Sequence, residues 1–144
     1  MIDKNDKIAL RQIMLDHYLD PDNKGIRKNL GYIKYQDSPI CSDEINVQII
    51  MMDNKIEKAC FDGTTCAISG SAIDILCGQI NGKTKEQALQ LLNNYHNMIT
   101  GHKYNEEDLE ELIIFNEIYK QGNRINCALL GAEGIRYILK KEVK

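Results

Sequence analysis

Tryptophan is absent from the sequence, and only two Phe and two Pro occur among its 144 residues. With seven Tyr as the remaining aromatics, the core has to be assembled mainly from Ile, Leu, Ala and Met. Two Pro and ten Gly exclude a collagenous, linker-like or disordered chain. An excess of positive charge is missing as well: the formal net charge is −3. No Lys/Arg cluster is interleaved with stacking aromatics, so a nucleic-acid partner is not expected. Long hydrophobic runs are lacking, since stretches such as Ile49-Ile50-Met51-Met52 are far too short to span a bilayer. The segment from Met1 to Lys7 has no apolar stretch of the signal-peptide type. A cytoplasmic protein without a membrane partner is therefore expected, formed as a single domain over residues 1–144.

The residues present divide the chain by period. Leu10, Ile13, Met14, His17 and Tyr18 follow helical spacing between Lys7 and Leu19, and Pro21 limits that helix. Three short strands are predicted over Tyr32–Gln36, Ile45–Met51 and Ile56–Asp62, with Asp53-Asn54 as the tight turn of an antiparallel hairpin. Helices are predicted from about Ala67 to Gln79 and from Lys85 to Thr100. The second opens on a Thr84/Gln87 capping box and carries Ala88, Leu91, Leu92, Tyr95, Met98 and Ile99 on one face. Asn105 followed by Glu106, Glu107 and Asp108 predicts another helix, running to about Tyr119. A last helix is expected to begin near Cys127, with Ala128, Ala132, Ile135, Ile138 and Leu139 as its stripe. Strands first and helices afterwards predict an α+β fold rather than a parallel α/β sheet.

Five cysteines in a reducing compartment point to metal binding, reactivity or simple burial rather than to a disulfide framework. Cys41 falls in a loop between strands, while Cys66 and Cys127 fall at predicted helix mouths, where the helix dipole favours a thiolate. Cys60 belongs to a strand. Cys77 lies about three turns along a helix from Cys66, too far to share an ion with it. Cys41, Cys66 and Cys127, together with Asp43, form a donor set for four-coordinate zinc. The spacing contains no C-x-x-C pair and leaves two readings open, a metal site or free buried cysteines.

Four blocks of sequence resemble the U-type iron–sulfur assembly proteins, the IscU and SufU family. They are Asp16-His17-Tyr18-Leu19-Asp20-Pro21-Asp22-Asn23-Lys24-Gly25, Pro39-Ile40-Cys41-Ser42-Asp43, Phe61-Asp62-Gly63-Thr64-Thr65-Cys66-Ala67-Ile68-Ser69 and Arg124-Ile125-Asn126-Cys127-Ala128. The resemblance implies an α+β fold in which a small three-stranded antiparallel sheet packs against four to five helices and Cys41, Asp43, Cys66 and Cys127 converge at one end. Asn126 stands where the IscU type has His, and the Cys66–Cys127 interval is longer than in that type by roughly one helix; both features resemble SufU. That branch implies a zinc protein that takes persulfide sulfur onto Cys41 from a PLP-dependent cysteine desulfurase and passes it to a downstream iron–sulfur assembly scaffold. The alternative is a scaffold building a [2Fe–2S] cluster on the same ligands. A third possibility is a domain whose zinc is purely structural. Ser42 and Thr65 replace Gly of the family pattern, and Asp22 replaces Arg. Arg124 is a candidate cation for balancing the site's negative charge. His17 reads as a hydrogen-bonded core or interface residue, and the carboxylates from Glu106 to Glu111 as a solvated helix face.

Overall fold

A computed structural model describes residues 2–39 and 42–144. Helix α1 spans Lys7–Leu19 and is capped by Asp6, whose carboxylate accepts the Ala9 amide. Strands β1 (Tyr32–Asp37), β2 (Glu44–Met52) and β3 (Lys55–Thr64) follow, then α2 (Ala67–Ile80), α3 (Lys85–Ile99) and α4 (Gly122–Tyr137). The sheet order is β1-β2-β3, antiparallel throughout. Asp53 and Asn54 both take positive φ, 51° and 67°, the backbone of a two-residue hairpin whose twist matches its strands. A register shift at Ile50/Met51 bends β2. This is the predicted α+β fold. Among the described residues no helix is long and apolar enough to cross a membrane.

Alternation assigns the two faces of the sheet. Val47 pairs with Phe61 and Ile49 with Ala59, and these side chains are buried in the core formed with the helices. On the opposite face Gln48 pairs with Cys60, and the loop preceding β1 covers them. The Gln48 amide is fully buried and fully used: Nε2 donates to the Arg27 and Leu30 carbonyls, each at 2.6 Å. Its Oε1 accepts the Arg27 amide at 2.8 Å and the Cys60 thiol at 3.1 Å. Helix α2 is the centre of the molecule, with Ser69 to Cys77 buried continuously. Helix α4 crosses it at Gly131 and meets the sheet at Gly134. A Cβ built on Gly131 would stand 2.5 Å from Ile73 Cδ1, and one on Gly134 would stand 3.1 Å from Val47 Cγ2. Close helix approach of this kind is possible only where the side chain is missing.

Two boundaries differ from the expectation. The segment predicted as one helix from Asn105 to Tyr119 is instead two 3-10 stretches, Glu107–Phe115 and Ile118–Lys120. Glu110 breaks the first with φ 48° and ψ −122°, a conformation no helix accommodates. The 3-10 geometry still buries Leu109, Leu112, Ile113 and Phe115, which the helical spacing had captured. Helix α4 begins at Gly122 rather than near Cys127, because Gly122 and Asn123 form its first turn instead of stopping the chain.

Candidate metal centre

Three connections bring side chains to the end of the sheet where β2 starts and β3 finishes. Asp43 directly precedes β2, and its carbonyl accepts the Ser38 amide at 3.1 Å. Gly63, paired with Ile45, carries β3 past it at φ 139°; a Cβ there would collide with the Glu44 carbonyl oxygen, so the close approach needs glycine. Cys66 is the N-cap of α2. Its Sγ accepts the Ser69 amide at 3.4 Å, while Ser69 Oγ accepts the Cys66 amide at 3.1 Å, a reciprocal capping box. Tyr18 from α1 donates its hydroxyl to the Thr65 carbonyl at 3.2 Å and fixes the approach to that cap.

Cys127 arrives differently from the expectation of a helix mouth. It lies in the second turn of α4, 4% exposed, held by packing rather than by the end of the helix. The buried Tyr95 hydroxyl donates to the carbonyl of the next residue, Ala128, at 2.7 Å. The contact of Gly131 with Ile73, one turn further on, sets how closely α4 lies against α2. None of Cys60, Cys66, Cys77 and Cys127 is in a disulfide.

One ligand atom each from Asp43, Cys66 and Cys127 lies within 4.8 Å of the other two. Zinc–ligand bonds of about 2.0–2.3 Å at tetrahedral angles put donors on one ion about 3.3–3.8 Å apart, so the three need to close in by about 1 Å at most to share an ion. Asp43 is 7% exposed, and no Lys, Arg or His pairs with it among the described residues. Its polar partner is the Ser69 hydroxyl, 2.8 Å from Oδ2. A carboxylate buried without a cation is costly, and a divalent ion between it and two sulfurs removes that cost. Donor type, clustering and burial therefore fit a metal of the zinc or iron kind.

Cys41, the fourth expected ligand and the expected sulfur acceptor, lies outside the described residues, as does Ile40. The remaining cysteines are excluded from the cluster. Burial raises the Cys77 thiol pKa well above its usual value and raises that of Cys60, which keeps both as neutral thiols. Arg124 and Asn126 are exposed on the opening turns of α4, and no carboxylate pairs with Arg124 among the described residues. His17 is a core hydrogen-bonding residue, with Nδ1 2.6 Å from Asp74 Oδ2 and Nε2 3.1 Å from Glu111 Oε1. Glu111, whose side chain remains 45% exposed, adds this contact at the edge of the solvated face. Sequence reasoning missed Ser69, Tyr95 and Gly131 as parts of the site. Only Ser69 carried a local signal, its place three residues after a cysteine that opens a helix.

The sequence and the fold that carries these residues match a known class. The chain belongs to the NifU-like N-terminal domain family, whose model matches residues 9–128. It is 30% identical over 133 residues to the zinc-dependent sulfurtransferase SufU of Bacillus subtilis (strain 168), covering 92% of this chain and 90% of that protein. It is 25% identical to the iron–sulfur cluster assembly scaffold protein IscU of Streptococcus pyogenes serotype M1, over 90% of this chain and 81% of that one. Among solved structures, a SUF-system iron–sulfur cluster assembly scaffold assignment (FiSufU) from Fervidobacterium islandicum AW-1 superposes with a TM-score of 0.85 at 27% identity, covering 89% and 94% of the two chains. The protein is therefore a U-type member of the iron–sulfur cluster assembly proteins, more similar in sequence to this SufU than to this IscU.

Proposed function

We propose that the protein is a zinc-bound sulfur acceptor of iron–sulfur cluster assembly, working in the cytoplasm. It would take persulfide sulfur from a PLP-dependent cysteine desulfurase and deliver it to a downstream assembly scaffold. The observation that carries this reading is the convergence of Asp43, Cys66 and Cys127 on one point, with Asp43 and Cys127 buried and Cys66 partly exposed. Similarity to a protein described as a zinc-dependent sulfurtransferase supports it, as does an exposed Asn126 where the IscU type has imidazole.

Asp43, Cys66 and Cys127 would hold the ion, with Cys41 completing four-coordination. Bound zinc supplies a positive charge that keeps a coordinating thiol deprotonated at neutral pH. The chain's own residues divide the remaining work. Cys66 and Cys127 are fixed by a helix cap and a helix interior, and Asp43 by Ser69. Cys41 belongs to the connection between β1 and β2, two residues before Asp43. Two residues of chain span at most about 7 Å, which keeps Cys41 within reach of the cluster. The Cys41 thiolate attacks the outer sulfur of the desulfurase persulfide. A sulfur–sulfur bond forms on Cys41, the persulfide bond breaks, and the desulfurase cysteine leaves as a thiolate, so no external oxidant or reductant is required.

The test is desulfurase turnover and the mass of the protein after alkylation, with wild type and Cys41→Ala. The wild type should speed turnover and gain one sulfur on Cys41. The acceptor role fails if Cys41→Ala retains zinc and transfers sulfur equally well. Similarity to proteins described as scaffolds favours a second reading, assembly of a [2Fe–2S] cluster on the same residues; it predicts bound iron and sulfide.

A further inference from the structure

We propose that Ser69 is a positioning residue of the metal centre, which holds the Asp43 carboxylate against Cys66 before any ion arrives and keeps it there when another ligand exchanges. The inference rests on the zinc reading above. Ser69 occupies the third position of α2 and is 1% exposed. Its side-chain contacts all go to site residues. Oγ stands 2.8 Å from Asp43 Oδ2, 3.1 Å from the Cys66 amide nitrogen and, less closely, 3.4 Å from the Cys66 carbonyl oxygen and 3.5 Å from Cys66 Sγ, and the Ser69 amide nitrogen stands 3.4 Å from Cys66 Sγ.

Hydrogen-bond polarity fixes what each contact does. The Cys66 N–H can only donate, so Ser69 Oγ accepts it. The hydroxyl in turn donates its proton to Asp43 Oδ2. The two interactions use different parts of one hydroxyl and reinforce one another, because accepting from an amide makes the hydroxyl a better donor. One side chain thereby joins the loop before β2 to the cap of α2. A helix cap alone would require only the Cys66 contact. The bond to a carboxylate 26 positions away adds nothing to helix capping, and it restricts Asp43 to the side of the cluster where Cys66 stands. Outer-shell partners of this kind orient ligands by restricting their rotation.

The experiment is zinc affinity, measured by competition with a chromophoric chelator, for wild type, Ser69→Ala and Ser69→Thr, each with Asp43 intact and with Asp43→Ala. Thermal unfolding of the metal-free proteins is recorded in parallel. Ser69→Ala should weaken zinc about 10–100-fold, and Ser69→Thr, which keeps the hydroxyl, should recover most of the loss. In the Asp43→Ala background the Ser69→Ala effect should shrink to within about twofold. Unchanged affinity in Ser69→Ala overturns the proposal, and so does an equal loss in both backgrounds, which would assign Ser69 to helix capping alone. Should Ser69→Ala not fold, hydrogen exchange of the Cys66 and Ser69 amides in wild type and Asp43→Ala reads the same link from the other side. Faster exchange in Asp43→Ala supports it and identical exchange overturns it. If the wild type itself binds no zinc, the zinc reading fails instead.

Discussion

Gly131→Ala separates the architecture that positions Cys127 from the stability of the fold. The added methyl would stand 2.5 Å from Ile73 Cδ1 and 2.9 Å from both Cβ and Cγ1 of that residue. Carbon atoms pack at about 3.5–4.0 Å, so the two helices must separate by about 1 Å at this point. Ile73 cannot relieve the contact by rotating, since a β-branched side chain in a helix has essentially one χ1 rotamer. Overpacking of this size costs about 1–3 kcal/mol, while Ala in place of Gly within a helix returns about 1 kcal/mol. The net loss of about 0–2 kcal/mol corresponds to a few degrees in Tm at this chain length. The metal centre has no such compensation, because Cys127 sits one turn from the displaced point. Zinc affinity should therefore fall at least about tenfold while the metal-free Tm changes little. Adding Ile73→Gly removes all three contacting atoms and should recover affinity at a further cost in stability. Chelator competition and thermal unfolding on the three variants provide the assay. Unchanged zinc binding in Gly131→Ala would refute the argument that helix spacing sets the site.

Gly63→Ala combines a positive φ with a backbone collision against Glu44 and should cost about 2–4 kcal/mol; denaturant unfolding at wild-type midpoint would contradict this. His17 gives a pH-dependent contribution with a definite sign. Burial lowers its pKa, but the hydrogen bond that His17 donates to Asp74 and the charge and bond of Glu111 outweigh burial and raise it above 6.5. The folded state therefore binds the proton more tightly than the unfolded chain. This contribution is fully present below the unfolded value and is lost as pH rises through the folded one. His17→Gln should remove that part of the decline in stability across neutral pH, and parallel stability–pH curves for the two proteins would refute it.

The elements that sequence reasoning placed well are those whose signals are local. Asp53-Asn54 declares its turn through residues that tolerate positive φ, and Thr84/Gln87 forms the expected capping box of α3 with reciprocal bonds. Cys66 was placed at a helix mouth and is the cap of α2. Where local signals compete, the reading failed. Asn105-Glu106-Glu107-Asp108 has the composition of a helix start, yet Glu110 adopts a conformation that ends the regular path. The chain then folds back so that Glu111 reaches His17. Gly122 and Asn123 have the composition of a helix stop but lie within the first turn of α4, which moves Cys127 inward. The Asp74–His17–Glu111 network joins residues 57 and 94 positions apart, and the Gly131–Ile73 contact joins two helices. Such pairs are properties of packing and leave no periodic trace. The convergence of Asp43, Cys66 and Cys127 was legible through family resemblance, whereas spacing alone left it undecided.

The central claim, a zinc-bound sulfur acceptor, is tested most directly by measuring zinc, iron and acid-labile sulfide per chain. The protein should be untagged and isolated anaerobically under reducing conditions from cells supplied with both metals. About one zinc per chain and no sulfide is the predicted result, as four donors to a single ion require. Iron and sulfide in equal amounts, with little zinc, would contradict it and make the same residues the seat of a cluster scaffold.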